Sequence, residues 1–395
     1  MKKLAIIGAQ RMAKNYAVNA REMGVETFCF AWPKGAVAKD FVDHFYPISI
    51  FEIEQIVEVC HREKIDGVVS TSELTISVAA QVAAELGLNG IPVEIARTIT
   101  DKYRNREVSQ NVEGLHHPKF AKVRAPDDVA AKGLSYPIIL KPTAEGGKRG
   151  ISVVNSPDEL AKAFAYAHGE SKNGAEFIAE EFIAEGKEYS VETLSYCGKH
   201  VIIQVTEKIS SGPPHCVELG HIQPARISKD MRCKIVDVLS RALTAIGYSN
   251  GPCHTEVKIV DGEIWLIEFN ARPGGDFISY PLCDLSTGYG YLKGAIRIAL
   301  GEFCFPADSD FVQSAAGVCF VTEQTKWLKP VFDVCESKPW CWRKNDVGDI
   351  SSLSHNDCDG TNYFIWHCDH GFPDELVDFG ALNFEDRMFC CEGGC

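Results

Sequence analysis

The stretch 254–272 combines acidic and amide side chains with the alternating pattern of two β-strands. Glu256 lies in the first strand, and Glu268 and Asn270 lie in the second, which leads to Arg272. Carboxylate and amide oxygens gathered on one face of a hairpin would repel each other unless a cation lay between them. Hard oxygen ligands of this kind suit Mg²⁺ that bridges nucleotide phosphates. A solvated polar strand face is the alternative interpretation.

The register of this hairpin decides whether the acidic side chains meet. Val257 and Ile259 alternate on one side of the first strand, and residues 265, 267 and 269 are apolar on one side of the second. If both sets share the core, a two-residue Asp-Gly loop is excluded. We therefore expect a three-residue loop with Gly262 in a left-handed conformation, which would place Glu256 opposite or nearly opposite Glu268.

A second stretch has the composition of a phosphate-binding turn. An apolar strand at 138–141 ends in Lys141, and Gly146, Gly147 and Gly150 follow with two basic residues among them. The backbone N–H groups of such a turn can surround phosphates. Taken alone, the pattern is weak, because glycine-rich hairpin turns are common and a flexible solvent loop is their usual explanation.

Two further segments, 100–106 and 179–192, complete a series of four that resembles the ATP-grasp superfamily over roughly residues 1–300. The resemblance implies that ATP and two Mg²⁺ ions, or alternatively Mn²⁺, are clamped between two α+β subdomains. It also implies that a carboxylate is activated as an acyl phosphate and joined to an amine, with release of ADP and phosphate. Lys148 and Arg149 replace small residues that are frequent in the family's loop, so we expect its closure to differ.

The resemblance also implies roles for individual residues. Those assigned to ATP are Lys102 and Lys141 at the phosphates, Gly146, Gly147 and Gly150 in the covering loop, Glu180, Glu181 and Ile183 at the adenine, and Glu188 at the ribose. Those assigned to the metal are Glu256, Glu268 and Asn270. Arg272 would stabilise the reacting acyl phosphate.

Three segments bear on the substrate. Glu73 follows the strand at 67–70, at the carboxyl end of a parallel sheet where open α/β folds bind ligands, and it matches a glutamate that faces the substrate amino group in amino-acid ligases of the superfamily. His221 lies in a stretch similar to their substrate-facing loop. Gly274 and Gly275 follow Arg272 and allow close backbone approach to a small carboxylate. The alternatives are a carboxylate in the first turn of a helix for Glu73 and a structural histidine for His221.

The secondary structure that must position these residues is predicted to combine α/β and α+β folds. Strands alternate with helices over 1–100, which predicts a Rossmann-like, pre-ATP-grasp domain with a parallel sheet. The loop after its first strand lacks the second glycine of dinucleotide sites, so we do not expect NAD to bind there. An ATP-grasp domain is predicted for 101–304, with a lid subdomain at about 118–183, and a small β-rich C-terminal domain for 305–395.

Composition excludes several function classes. A net charge of −14 argues against nucleic acid, and no apolar run is long enough to span a membrane. Sixteen scattered cysteines suit reduced thiols, so we expect a cytoplasmic enzyme acting on a small-molecule carboxylate and an amine, with amino acids as the first candidates. A homodimer is left open.

The C-terminal cysteines and histidines raise a separate question. Zinc ligands would have to come from Cys358, His367, Cys368, His370, Cys390 and Cys391, but their spacing fits no standard zinc module, and core thiols are the preferred interpretation. For the whole chain, the main prediction is an L-amino-acid or related carboxylate–amine ligase. The alternatives are a purine-pathway-type or biotin-carboxylase-type ATP-grasp enzyme and, from another class, a non-catalytic nucleotide-binding or NAD module.

Overall fold

The computed structural model describes residues 1–144, 150–171, 176–212, 217–350 and 360–381. Its first unit is a parallel four-stranded sheet with the order β3-β2-β1-β4, covered by helices. The elements are β1 (Lys3–Ile7), α1 (Arg11–Glu22), β2 (Glu26–Phe30), β3 (His44–Tyr46), α2 (Ile53–Glu63), β4 (Gly67–Ser70), α3 (Glu73–Glu85) and α4 (Val93–Thr100). The predicted Rossmann-like arrangement is confirmed.

A small antiparallel sheet follows, with the order β6-β9-β7-β8. Its surroundings are α5 (Lys102–Ser109), β5 (Leu115–His116), β6 (Phe120–Val123), α6 (Pro126–Ala131), β7 (Ile138–Pro142), β8 (Ser152–Val154), a 3₁₀ turn (Pro157–Glu159), α7 (Leu160–Glu170) and β9 (Phe177–Glu181). Leu140, Phe164 and Phe177 are fully or almost fully buried between this sheet and α7. This α+β unit has the position in the chain that was predicted for the lid.

The central element is a nine-stranded sheet with the order β16-β17-β15-β12-β11-β10-β13-β14-β5. It includes β10 (Lys187–Tyr196), β11 (Lys199–Ser210), β12 (Glu218–Gln223), β13 (Gly251–Val260) and β14 (Glu263–Asn270), with α8 (Lys229–Ala245), a π-helical turn (Ile278–Leu282), α9 (Cys283–Thr287) and α10 (Tyr291–Ala299) packed on it. The apolar side of α8, with Leu239 and Leu243, is buried against one face of the sheet. The opposite face therefore remains for the site.

The C-terminal segment adds three strands to the edge of this sheet. Its elements are a 3₁₀ turn (Asp308–Asp310), β15 (Ala315–Val321), a 3₁₀ helix (Glu323–Leu328), α11 (Lys329–Val334), a 3₁₀ turn (Cys335–Ser337), β16 (Cys341–Asn345), β17 (Asn362–Cys368), a 3₁₀ turn (Asp374–Leu376) and α12 (Val377–Ala381). Because β15 pairs with β12, these strands continue the central sheet. The domain boundaries themselves stay predictions. No helix in the described ranges is long and apolar enough to cross a membrane.

Candidate active site

The candidate site lies on one face of the nine-stranded sheet, where polar side chains of neighbouring strands form rows. One row consists of Ser190, Glu256 and Glu268. The adjacent row consists of Glu192, His254 and Asn270. Side chains of directly paired residues are neighbours on the same face of a sheet. Three acidic groups and an amide therefore come together without any loop to position them, and Glu256 lies opposite Glu268 as predicted.

The hairpin reaches this register by a route that the sequence analysis got wrong. The loop has two residues, Asp261 and Gly262, both left-handed with φ of 50° and 77°, as a type I′ turn requires. Near the turn Val257 pairs with Leu266, so the core side of the second strand carries Leu266 rather than residues 265 and 267. A bulge at Ile267 then shifts the register by one residue and returns Glu268 to the polar face.

Arg106, on α5, holds this bulge in place. Its guanidinium donates to the carbonyl oxygens of Leu266 (2.7 Å) and Ile267 (2.8 Å) and to Glu180 Oε1 (2.5 Å). Arg106 is 3% exposed, so the planar fork satisfies carbonyls that the bulge would leave unpaired in the interior. The sequence analysis missed this residue, whose only signal was its position one helical turn after Lys102.

Glu180 is the second partner of Arg106 and also binds Lys141. The Lys141 Nζ lies 2.6 Å from Glu180 Oε2, and both side chains are buried. Burial raises the pKa of Glu180, but Arg106 and Lys141 outweigh burial and lower the pKa to about 2. The carboxylate is therefore charged at neutral pH. Its predicted contact with adenine stays a prediction.

Lys208, on β11, is a further residue that the sequence analysis did not assign to the site. Its ammonium contacts Glu188 and lies 2.9 Å from Glu218 and 3.3 Å from Glu256. Burial lowers its pKa, but the three carboxylates raise the pKa well above the ordinary value. A permanently charged ammonium thus joins the predicted ribose ligand Glu188 to the predicted metal ligand Glu256.

Lys102 provides the corresponding cation for Glu268 on the predicted metal face, which consists of Glu256, Glu268 and Asn270. It is the first residue of α5, which Asp101 caps by accepting from the N–H groups of Tyr103 and Arg104. Its Nζ lies 2.7 Å from Glu268 Oε1. Lys102 therefore neutralises Glu268, as Lys208 neutralises Glu256.

Arg272 and Glu73 connect the sheet face to the first unit. Arg272 Nη2 donates to Glu73 Oε1, and Nη1 donates to the Pro273 carbonyl (2.9 Å). Burial raises the pKa of Glu73, but Arg272 lowers it to about 2. Glu73 is also in the first turn of α3, after Ser72 in a capping box with Thr75, as the structural interpretation expected. Its predicted contact with the substrate amino group stays a prediction.

Glu192 and His254 form a buried pair beneath the loop that follows Arg272. His254 Nδ1 contacts Glu192 Oε1, its Nε2 lies 3.2 Å from Glu256 Oε1, and Glu192 Oε2 accepts from the Gly274 N–H (3.1 Å). Burial lowers the pKa of His254, but Glu192 and Glu256 raise it to about 9. The sequence analysis did not assign either residue, because they resemble ordinary alternation in a strand.

Comparison with known families provides the assignment. A family profile described as "ATP-grasp domain" matches residues 134–280, which contain three of the four strands of the small antiparallel sheet, Lys141, Glu180 and the predicted metal ligands. Residues 134–280 are therefore similar to an ATP-grasp domain.

Curated proteins similar to this chain include two kinds of enzyme. Alanine–anticapsin ligase of Bacillus subtilis (strain 168) is 28% identical over 281 residues, covering 65% of this chain and 58% of the relative. The chain thus spans little more than half the length of that curated relative. Formate-dependent phosphoribosylglycinamide formyltransferase of Methanococcus vannielii is 23% identical, covering 85% of both chains.

Solved structures show the same fold over nearly the whole chain. L-amino acid ligase from Bacillus licheniformis superposes with a TM-score of 0.77 at 23% identity, covering 98% of this chain and 97% of that one. The ADP complex of N5-carboxyaminoimidazole ribonucleotide synthetase gives a TM-score of 0.76 at 18% identity, with the same coverage. The predicted ATP-grasp fold is confirmed.

His221 is fully buried and lies on the same sheet face as Lys208. It pairs with Lys208 across β11 and β12, and its ring packs against Phe320 with centroids 6.3 Å apart. Neither ring nitrogen has a hydrogen-bond partner among the described residues. Burial lowers the pKa of His221 to about 4, so the ring is neutral at pH 7. Its predicted contact with substrate stays a prediction.

The predicted glycines have different structural reasons. Gly146 and Gly147 lie outside the described residues. Gly150 has a φ of +66°, and a Cβ there would lie 2.9 Å from Pro142 Cγ. At Gly274 a Cβ would lie 2.6 Å from both Glu192 Oε1 and His254 Nδ1, whereas at Gly275 it would meet nothing within 4 Å.

The remaining predicted nucleotide residues lie where the small sheet joins the central one. Glu181 Oε1 accepts from the Ser135 N–H (2.8 Å), and the Ile183 carbonyl accepts from Lys258 Nζ (2.7 Å).

In the first unit, a Cβ at Gly8 would lie 2.4 Å from Thr71 Oγ1, so packing explains that glycine. Gly8 therefore gives no support to an NAD site.

The metal face fits a hard divalent ion by its chemistry. Glu256 and Glu268 face each other, Asn270 is 4% exposed in the adjacent row, and Lys102 and Lys208 supply positive charge to the same oxygens. In the described residues, no three His, Cys, Asp or Glu side chains form a cluster that could hold a metal ion by itself, so phosphate oxygens or water would have to complete the coordination. Of the zinc candidates, Cys358, Cys390 and Cys391 lie outside the described residues, and the others belong to no such cluster.

Proposed function

We propose that this protein is an ATP-dependent carboxylate–amine ligase whose carboxylate substrate is an amino acid. It would activate the carboxylate as an acyl phosphate, join it to an amine in an amide or peptide bond, and release ADP and phosphate. The observation that carries the proposal is the contact between Glu73 and Arg272 at the end of the metal face.

A glutamate and an arginine in contact can bind a zwitterion, which carries both charges, better than they can bind a simple acid. The ammonium and carboxylate groups of an α-amino acid are separated by one carbon atom. One substrate molecule can therefore contact both Glu73 and Arg272 in place of their contact with each other. Glu73 would bind the ammonium group and Arg272 the carboxylate, with the Gly274–Gly275 backbone alongside. The similarity to alanine–anticapsin ligase and to L-amino acid ligase from Bacillus licheniformis supports this substrate class.

The cations of the site suit phosphoryl transfer between two anions. Catalysis of this step depends on positioning and on positive charge. Lys141 and Lys102 would contact the ATP phosphates, with Lys208 beside the predicted ribose ligand Glu188. Mg²⁺ held by Glu256, Glu268 and Asn270 would supply further positive charge to the transferring group.

The reaction then proceeds in two balanced steps. A carboxylate oxygen attacks the terminal phosphorus, an O–P bond forms, and ADP leaves. The amine nitrogen attacks the acyl carbon, the C–N bond forms, and phosphate leaves with one oxygen of the original carboxylate. Arg272 stabilises the charge that grows on the acyl oxygens. The proton lost by the amine leaves with the released phosphate, because burial disfavours a charged His221 ring.

A purine-pathway-type ligase is the second candidate. The formyltransferase relative is matched over 85% of both chains, which is longer than the match to the alanine ligase. Such an enzyme would activate a small acid without an ammonium group. Glu73 would then remain paired with Arg272 and would not affect substrate affinity.

One experiment distinguishes the two candidates. ADP and phosphate release would be measured with Mg-ATP across pairs of L-amino acids and across formate, bicarbonate and acetate with amines, and products would be identified by mass. Release that requires an amino acid, together with a dipeptide or amide product, supports the proposal. Release of ADP and phosphate with formate or bicarbonate, and not with amino acids, would contradict the proposal and support the purine-pathway-type ligase.

A further inference from the structure

The pair of Glu192 and His254 touches both halves of the site at once. On one side the pair contacts the backbone of Gly274. The Gly274 N–H donates to Glu192, and the Gly274 carbonyl accepts from Ser279 Oγ (2.6 Å). On the other side, His254 Nε2 contacts the predicted metal ligand Glu256. Both side chains are almost completely buried, at 0% and 3% exposure.

Burial in this arrangement leaves the pair little freedom. Glu192 and His254 are directly paired across β10 and β13, so the sheet fixes their backbones, and each ring nitrogen faces a carboxylate oxygen. A Cβ at Gly274 would lie 2.6 Å from each of them. The loop can therefore rest on the pair only because residue 274 is glycine.

The loop itself is held in an unfavourable conformation. Asp276 and Phe277 both have positive φ, 47° and 70°, which side-chain-bearing residues rarely adopt. Such a conformation persists only where surrounding contacts enforce it. The Gly274 N–H bond to Glu192 is one of these contacts, and the loop begins directly after Arg272.

We propose that Glu192 and His254 are positioning residues that orient Glu256 for the metal and at the same time fix the Gly274 backbone beside the substrate. The inference rests on the proposed function, because it takes Glu256 as a metal ligand. Residues that orient metal ligands from outside the coordination sphere typically change metal affinity by 10- to 100-fold when they are replaced.

The glycine loop offers a test that does not touch any metal ligand. In Gly274→Ala the new methyl group must displace Glu192 or His254, whereas in Gly275→Ala it meets open space. Mn²⁺ affinity would be measured by electron paramagnetic resonance in the presence of ADP, and ADP affinity without metal by calorimetry. We expect Gly274→Ala to weaken Mn²⁺ binding at least tenfold, and Gly275→Ala to leave it within twofold of the wild type.

Glu192→Gln provides the second variant. It keeps the size of the side chain and an acceptor for the Gly274 N–H but loses the charge that faces His254. We expect about tenfold weaker Mn²⁺ binding, unchanged metal-free ADP affinity, and a higher KM for the carboxylate substrate. His200→Gln is the control, because that histidine bonds Ser195 (2.7 Å) and Thr244 (3.2 Å), none of which is assigned to the site.

The outcomes separate the inference from the function on which it rests. Unchanged Mn²⁺ affinity in both Gly274→Ala and Glu192→Gln would overturn the positioning role while leaving the ligase proposal intact. Loss of Mn²⁺ affinity in Gly275→Ala to the same extent would also overturn it, because the loop rather than the pair would then be responsible. A wild-type protein that binds no Mn²⁺ with ADP would overturn both.

Discussion

Glu73 and Arg272 are hydrogen bonded although 199 positions separate them in the chain. Glu73 begins a helix of the first unit and Arg272 follows β14, the second strand of the hairpin. The contact therefore joins the Rossmann-like unit to the predicted metal face, and it places opposite charges where the proposed amino-acid substrate would bind.

Replacement of Glu73 tests that recognition. In Glu73→Gln the ammonium group of the substrate loses its counter-charge, so we expect the KM for the amino acid to rise about tenfold or more, with a smaller change in the KM for ATP. Initial rates of ADP formation would measure both constants. Glu85→Gln, an exposed position on the same helix, is the control. An unchanged amino-acid KM would contradict the assignment of Glu73.

Replacement of Arg106 tests the support of the hairpin. Lysine keeps the charge but cannot donate to two carbonyls and Glu180 together. We expect Arg106→Lys to lower the free energy of unfolding by about 2–3 kcal/mol and to raise the KM for Mg-ATP, because the bulge that turns Glu268 toward the site is no longer held. Urea unfolding and steady-state kinetics would be compared with Arg104→Lys, an exposed neighbour on α5. Wild-type stability and kinetics in Arg106→Lys would remove this role.

Much of the site could be predicted because strand alternation and family resemblance agree. Glu256 and Glu268 do face each other, yet the predicted loop was wrong and the correct register depends on a bulge. That bulge depends on Arg106, which binds a carbonyl 160 positions away, and no local pattern in the sequence reports such a contact. The two-residue turn and the bulge each shift the register by one, and their effects cancel beyond Ile267.

The buried counter-charges were harder to predict for a related reason. Lys208, Glu192 and His254 occupy alternate positions of strands whose other side is apolar, which is also the pattern of a solvated strand face. The Gly274 loop packs against Glu192 and His254, and three carboxylates of neighbouring strands surround Lys208, so all three are interior groups. Predictions from alternation alone cannot distinguish a covered polar face from an exposed one.

Removal of the Lys208 ammonium should expose repulsion among the carboxylates around it. In Lys208→Met we expect the free energy of unfolding to fall by about 3–5 kcal/mol, because Glu188, Glu218 and Glu256 lose a shared buried partner. Millimolar Mg²⁺ should raise the melting temperature of this variant more than that of the wild type. Lys187→Met, which loses only a contact of 3.5 Å with Glu207, is the control. Equal responses to Mg²⁺ would argue against a divalent ion at this face.

Asp284, on α9, should make stability depend on pH. Burial raises its pKa from the ordinary 3.8 to about 7, although the Tyr291 N–H opposes this. Between these values the folded protein keeps a proton that the unfolded chain has lost, so Asp284 lowers stability progressively as the pH rises from 4 to 7. Asparagine preserves the acceptor for Tyr291 without this effect. We expect Asp284→Asn to gain stability relative to the wild type over this range, with a constant difference above about pH 7, as measured by urea unfolding. A pH-independent difference would contradict the raised pKa.

The fate of the carboxylate oxygens tests the proposed chemistry most directly. The protein would be incubated with Mg-ATP, an amine and an amino acid labelled with ¹⁸O in both carboxylate oxygens, and the released phosphate would be analysed by mass spectrometry or ³¹P NMR. An acyl phosphate that is attacked by an amine leaves one substrate oxygen on the phosphate, so we expect one ¹⁸O atom per phosphate, with ADP as the nucleotide product. Unlabelled phosphate, or AMP with pyrophosphate, would contradict an acyl-phosphate ligase.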